Sequence, residues 1–227
     1  MENIDNWRYE LKYIVSDFSS AEVLSYIKLH PAMFSEVFYQ RQVNNIYFDT
    51  PDFSAFSDNV IGISKRLKIR CRWYGDTFGL IENPILELKI KDSAVGRKES
   101  LPLERFTLTK HTTANNVFNL IKSKEMTSLA KRTLLVTRPV LINSYSRRYF
   151  LSSCGRFRIT YDVNLKFHSF IGNRDPKIVN QNILEVKFSK KDMSYIKNIM
   201  SHFPFRLNKS SKYVTGISEL IMTPDLY

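Results

Sequence analysis

Several stretches of this chain alternate charged with apolar residues, and the strictest is RLKIRCRW at residues 66–73. There Arg66, Lys68, Arg70 and Arg72 alternate with Leu67, Ile69, Cys71 and Trp73. Side chains of a β-strand point to opposite faces with period two, so one face goes to a core and the other becomes a row of positive charge. The pattern recurs. RYELKYI sets Glu10 and Lys12 against Tyr9, Leu11 and Tyr13; LELKIK sets Glu87, Lys89 and Lys91 against Leu86, Leu88 and Ile90. RFRITYD sets Arg156, Arg158, Thr160 and Asp162 against Phe157, Ile159 and Tyr161, and LEVKF sets Glu185 and Lys187 against Leu184, Val186 and Phe188. An ordinary solvated face mixes Ser, Thr, Gln and both charges. These faces carry mostly Lys and Arg with one carboxylate at a time. Closed into a barrel with such faces inward, the strands would line a cationic tunnel holding a few acids. An empty tunnel of that kind is costly, because like charges repel and buried charges lose hydration, so the pattern implies a polyanionic ligand or ordered counterions.

The remaining segments read as strands and covering helices. SSAEVLSYIKLH has helical spacing with Ser19 or Ser20 as cap, and VNNIYFDTPDF is a strand that breaks at Asp49-Thr50-Pro51. GRKESLPL is a hairpin partner for the LELKIK strand, and residues 104–133 read as helix or loop. RPVLINSYSRRYFLSS and GRFRITYDVNL are strands joined by a turn at Ser153-Cys154-Gly155, and QNILEVKFS is the last strand. SKKDMSYIKNIM and NKSSKYVTGISELIM read as helices, the second with Tyr213, Ile217, Leu220 and Ile221 on one apolar face. In that helix Lys209 and Lys212 would stand one turn apart, and Gly216 would let a ligand approach the backbone. The inventory is α+β, dominated by antiparallel strands. With 227 residues, 43% hydrophobic and no Gly/Ser-rich linker, a single domain over residues 1–227 is expected.

Lys and Arg total 34 against 22 Asp and Glu, a formal charge of +12 that selects anionic partners. Nucleic acid is not the expected one, because single-strand readers put rings and cations on the same face, whereas Trp73, Phe157 and Tyr161 alternate away from the cations. Cys71 and Cys154 suggest neither a disulfide framework nor a metal site. His30, His111, His168 and His202 lack ligand spacing and read as surface or turn residues rather than catalytic bases. No P-loop, kinase motif or Ser-His-Asp arrangement is present. The N-terminal residues carry no apolar h-region, and no stretch is long enough to span a bilayer, so a soluble, cytoplasmic protein is expected.

With these segments in order, the chain resembles the catalytic domain of the vacuolar transporter chaperone (VTC) family, polyphosphate polymerases of the triphosphate tunnel metalloenzyme, or CYTH-like, superfamily. The resemblance rests on RYELKY, YFDTPDF, RLKIRCRWYG, LELKIK, SYSRRYF, RITYD, ILEVKF and SKYVTGI, which run from about residue 8 to about residue 218. It implies an antiparallel β-barrel tunnel of about eight strands with flanking helices. It also implies metal-dependent transfer of the ATP γ-phosphate to a growing polyphosphate chain, with Mn²⁺ or Mg²⁺ as cofactor. The alternatives on the same fold are a triphosphatase and a non-catalytic sensor of polyphosphate, inositol phosphates or nucleotide.

Carried over by position, the resemblance makes Lys12, Arg70, Arg72, Lys89, Arg147, Arg158 and Lys212 the phosphate-binding catalytic set. Lys98, preferred over Arg97, joins Lys187, Lys209, Arg66 and Lys68 as further substrate contacts, with Arg70 and Arg72 deepest. Glu185 is the expected metal carboxylate, with Glu10 and then Glu87 as further candidates, and Arg148 is expected to face outward. The implied partners are ATP and polyphosphate, and a membrane protein that receives the polymer. Eukaryotic members of the family also carry a phosphate-sensing SPX domain and membrane helices, neither of which is represented in these residues.

Overall fold

The computed structural model describes residues 8–93, 95–121, 126–171 and 175–222. Its elements in chain order are β1 (Arg8–Ile14), α1 (Ser20–Lys28), β2 (Ser35–Asp49), α2 (Ser54–Ile61), β3 (Lys65–Tyr74) and β4 (Gly79–Ile81). Then come β5 (Ile85–Asp92), β6 (Val95–Pro102), β7 (Phe106–Leu108), α3 (Ala114–Leu120), α4 (Ser128–Val136) and β8 (Arg138–Leu151). β9 (Arg158–Ser169), β10 (Lys177–Val179), β11 (Ile183–Ser189), α5 (Met193–Met200) and α6 (Lys212–Ile217) complete the order.

The alternating segments all become strands, and the strands form a ring. Pairing runs β9-β11-β1-β6-β5-β3-β2-β8, and β8 returns to pair with β9, so eight antiparallel strands close on themselves with β10 attached outside β9. Closure removes free edges and fixes an inside. One joint is thin: β1 meets β6 only at Arg8 opposite Gly96.

The apolar halves of the strands bury outward against helices. Ile69, Cys71, Trp73, Leu86 and Leu88 pack with Val117 of α3 and Ala130 and Leu134 of α4. Ile159, Tyr161, Leu184, Val186 and Phe188 pack with Val23 and Ile27 of α1. Each fully buried large apolar side chain is worth about 1.5–3 kcal/mol, so the two outer cores set which strand face turns inward. α1 starts with a capping box, in which Ser19 accepts from the Glu22 amide and Glu22 accepts from the Ser19 amide.

A third cluster differs, because its strand residues continue the inward face. Tyr213, Ile217 and Leu220 of α6 and the turn after it pack on Tyr47, Leu141, Tyr145, Phe167 and Ile183, so α6 sits in one end of the ring. Gly216 is what allows this: a Cβ there would lie 2.5 Å from Leu141 and 2.6 Å from Phe167. The close approach expected toward a ligand is therefore an approach to the barrel wall.

Four more expectations are corrected. β2 begins at Ser35, eight residues before the alternation expected from VNNIYFD, because bulges between Glu36 and Arg41 interrupt the period there. Residues 104–133 include the three-residue strand β7, paired with β4. The last helix starts at Lys212 with Ser211 as cap, so Lys209 lies on the exposed approach to it and not one turn below Lys212. His30 is buried rather than on the surface, with its ring stacked on Phe203 and bonded to the Ile199 carbonyl.

Candidate functional site

Inside the ring, cross-strand register brings the predicted charges together around two carboxylate centres. Arg70 on β3 faces Glu87 on β5, and Glu87 is 2% exposed. Its Oε2 accepts from Arg70 Nε at 2.7 Å and Nη2 at 2.6 Å, with Arg72 Nη1 at 3.6 Å. Its Oε1 accepts from Lys98 Nζ at 2.6 Å. Arg72 is held on its other side by Asn45 Oδ1 at 2.9 Å, and Asn45 donates in turn to Asn143. Burial pushes the Glu87 carboxyl up, but Arg70, Arg72 and Lys98 outweigh it and hold it well below the usual range.

The second centre spans β1, β8, β9, β11 and α6. Asp162, fully buried, accepts both prongs of Arg147, Nε at 2.5 Å and Nη2 at 2.6 Å, and the Lys212 ammonium lies 2.6 Å away. Glu185 has Lys187 at 3.1 Å, Arg147 at 3.6 Å, Lys212 at 3.7 Å and Lys12 at 3.8 Å. Glu10 lies 3.0 Å from Lys12 and 3.2 Å from Lys89. Burial raises the Glu185 carboxyl, yet Lys187, Lys212, Lys12 and Arg147 hold it ionised far below its ordinary value. The cations answer unevenly. Burial and the charges of Lys12, Lys89, Arg66 and Arg70 push Lys68 down to about 7, while burial brings Lys89 to about 8 against the pull of Glu10.

The helix in the barrel end is tied to this centre. Lys12 Nζ donates to the Ser210 carbonyl at 2.9 Å and Lys68 Nζ to Ser211 at 3.1 Å. Tyr213 donates its hydroxyl to buried Asp49, whose carboxylate also accepts from the Ala55 and Phe56 amides at the start of α2. Asp49 thus does the capping that Phe53, with no polar side chain, cannot.

The predicted residues fall into two groups. Lys12, Arg70, Arg72, Lys89, Lys98, Arg147, Lys187 and Lys212 converge with Glu10, Glu87 and Glu185. Lys98 stands across from Lys89 on the inner face, and Arg97, across from Ile90, takes the opposite one. Arg158 is exposed at the start of β9 opposite Lys187, Arg66 reaches the Asn59 carbonyl, and Lys209 is exposed. Arg148 faces away and pairs with Glu36 through two nitrogens. Sequence reasoning left three lining features unassigned: Asp162, whose alternation with Arg158 and Thr160 was the available signal, the Asn45–Asn143 pair, and Arg41 with its surrounding rings.

Among the described residues, no group of three or more His, Cys, Asp and Glu could hold a metal ion on protein donors alone. Glu10 and Glu185 share the Lys12 ammonium, at 3.0 and 3.8 Å from an oxygen of each. That donor chemistry suits a hard divalent ion, which takes one or two carboxylates plus the phosphate oxygens that arrive with it. Both oxygens of Glu87 already accept charge-assisted hydrogen bonds.

Comparison with known proteins agrees with this geometry. A family model described as the VTC domain matches residues 7–221. No curated protein matches the chain. Among solved structures, a Vibrio parahaemolyticus protein provisionally assigned as an adenylate cyclase is 14% identical with a TM-score of 0.53, covering 93% of this chain and 98% of its own. A Pyrococcus horikoshii protein, 14% identical with a TM-score of 0.50, covers 93% of this chain and 99% of its own. A Hippeastrum protein, provisionally assigned as an adenylyl cyclase and described as having a dominant triphosphatase activity, is 14% identical with a TM-score of 0.50. It covers 94% of this chain and 95% of its own. At that identity the likeness is one of fold. No helix among the described residues is long and apolar enough to cross a membrane.

Proposed function

The chain belongs to the VTC-domain family, and from that premise we propose that it transfers the γ-phosphate of ATP to a growing polyphosphate chain inside the ring. The observation behind this is the charge balance of the interior. Eight inward cations pair with the four carboxylates Glu10, Glu87, Asp162 and Glu185 among the described residues, a formal excess of four in that network before Lys68 and Arg41 are counted. A single phosphate group brings about two negative charges at most, so the site suits a chain of phosphates.

In this reading Arg70, Arg72 and Arg147 fix the reacting phosphates, because their guanidiniums are already oriented by Glu87, Asn45 and Asp162 and keep further N–H donors in reserve. Lys12, Lys89, Lys98, Lys187 and Lys212 neutralise the flanking groups, and Arg158 receives phosphate at the exposed end. Lys68, Arg66 and Lys209, beside α6, hold further phosphates of the chain. Glu185 and Glu10 would hold Mn²⁺ or Mg²⁺ together with phosphate oxygens, and the ion would supply charge neutralisation for the phosphoryl group in transfer. A terminal phosphate oxygen of the chain, which needs no deprotonation by a side chain, attacks the γ-phosphorus in line as the bond to the β–γ bridging oxygen breaks and ADP leaves. Phosphoryl transfer asks the protein mainly for alignment and electrostatic stabilisation, in keeping with the absence of a catalytic histidine inside the ring. A membrane protein that takes up the polymer is the proposed partner.

Water in place of the chain end would make the same site a triphosphatase, the activity described for the Hippeastrum neighbour. One experiment separates the readings. Purified protein is incubated with ATP and Mn²⁺, and the products are run on a urea gel stained for polyphosphate, beside Glu185→Ala and Arg70→Ala. A ladder lost in both variants supports the polymerase. Released phosphate without a ladder supports the hydrolase, and neither product in the wild type overturns both in favour of a sensor.

A further inference from the structure

β2 departs from regular pairing between Glu36 and Arg41, where two register shifts turn the strand at its N-terminal end. Bulges next to active sites commonly re-aim side chains. Here they gather rings around one cation. The Arg41 guanidinium carbon lies 4.4 Å from the Phe38 ring centroid, 5.2 Å from those of Tyr74 and Tyr149 and 5.7 Å from that of Tyr39. Arg41 makes no ion pair among the described residues, and its Nε is buried without a hydrogen-bond acceptor.

Register places this cluster on the wall of the phosphate site. Arg41 stands opposite Arg147, Tyr74 follows Arg72 by two residues on the same face, and Tyr149 follows Arg147 in the same way. Arg147 itself lies 6.0 Å from the Tyr149 ring, so the cluster is the next step along the interior, toward the end that α6 does not fill. Yet the rings are open to solvent: Tyr39 is 81% exposed, Phe38 53% and Tyr74 46%. At the opposite stretch of the cation row the one ring is Tyr213 under Lys68, at 5.6 Å, and it is buried with its hydroxyl on Asp49; Arg66, Lys91 and Lys209 lie over no ring among the described residues.

We infer that the Arg41 cluster is a nucleobase-binding site, in which the base of a nucleoside triphosphate stacks on the exposed rings while Arg41 donates to its ring acceptors. This rests on the nucleotide-donor reading above and deepens it. A base has a π-face for the tyrosines and lone pairs for a guanidinium that has none to pair with, whereas an inorganic phosphate chain has no use for the rings. The two ends of the site then differ in kind. The aromatic end admits the nucleotide with its triphosphate pointing toward Arg72 and Arg147, and the stretch beside α6 holds only phosphates.

The test compares two ligands on the same protein by calorimetry: inorganic tripolyphosphate and an ATP analogue with a non-cleavable β–γ bridge. In the double variant Tyr39→Ala/Tyr74→Ala, affinity for the analogue should fall at least about fivefold, the low end for loss of base–aromatic stacking, with tripolyphosphate affinity unchanged. The Tyr39→Phe/Tyr74→Phe variant should retain both affinities. Unchanged nucleotide affinity in the alanine variant overturns the inference, and so does an equal loss for both ligands, which would mark a structural role. Wild-type protein that binds neither ligand refutes the tunnel reading itself and this inference with it.

Discussion

Replacing Glu87 by Gln should separate what the tunnel carboxylates do for folding from what they do for ligand binding. Glu87 is 2% exposed and lies against Arg70, Arg72 and Lys98, of whose side chains 18%, 12% and 49% is accessible. Lys98, half exposed, recovers most of its lost partner in water and contributes little to the cost. The two arginines do not. Removing one member of a buried ion pair costs about 3–5 kcal/mol, and the Gln amide adds a mismatch by turning an N–H₂ toward a cation whenever its oxygen serves Arg70. The lower figure, about 3 kcal/mol, is the better one here because Gln still accepts one hydrogen bond. For a chain of this length that is a fall in Tm of about 6–12 °C. Thermal unfolding of the two proteins, each with and without tripolyphosphate, is the assay. Because phosphate supplies the missing counter-charge, saturating ligand should raise the Tm of the variant by more than that of the wild type. A ligand-free variant within about 2 °C of wild type would refute the argument that Glu87 is what keeps the empty site folded.

Two further outcomes follow from particular contacts. Gly216→Ala puts a methyl group 2.5 Å from Leu141 and 2.6 Å from Phe167, so urea unfolding should show a loss of about 1–3 kcal/mol from overpacking; no loss would mean that α6 does not sit in the barrel end. Lys68, lowered to about 7, lacks a proton that the unfolded chain holds from there up to the ordinary lysine range, so the empty protein should gain stability as pH rises through that window. Bound phosphate favours the charged ammonium, so at about pH 8 tripolyphosphate binding should take up protons and weaken as pH rises further. Calorimetry in two buffers of different ionisation enthalpy reads that uptake, which Lys68→Met should reduce; an uptake left whole by the variant would assign it elsewhere, with Lys89 the next candidate.

The inner faces of β1, β3, β5, β9 and β11 were legible because burial of one strand face forces a period of two, and charged positions of that period make up much of the candidate site. What the period cannot show is which strands meet. Arg70 with Glu87 and Arg147 with Asp162 are neighbours through pairing across hairpins, but Glu10 with Lys89 and Lys12 with Glu185 depend on closure of the ring. The same limit hid α6. Its apolar face predicted a cover, and only the third dimension turns that cover into the end of the barrel, with Lys212 reaching Asp162. Arg41 was missed for a local reason: the bulges around it break the alternation that identified the inward cations of β1, β3, β5 and β11.

The way each cation is held divides the site by task. Arg70 and Arg147 each meet a carboxylate through two nitrogens, and Arg72 is fixed between Glu87 and Asn45, so these planar groups are oriented before any ligand arrives. Lys98, Lys89 and Lys187 meet their carboxylates through a single ammonium, with 49%, 40% and 29% of their side chains accessible. A lysine on a flexible stem can trade a carboxylate for a phosphate with little rearrangement, whereas an arginine pinned by two bonds offers only the N–H groups left over. A polymer that advances one phosphate at a time needs successive contacts of similar and moderate strength, since a single deep trap would stop it. On the polymerase reading proposed above, pinned arginines therefore suit the point of transfer, where alignment matters most, and exchangeable lysines suit the path along which the product would move. On that reading the internal carboxylates serve both, holding the arginines in place and giving each lysine a partner to return to once the chain has passed.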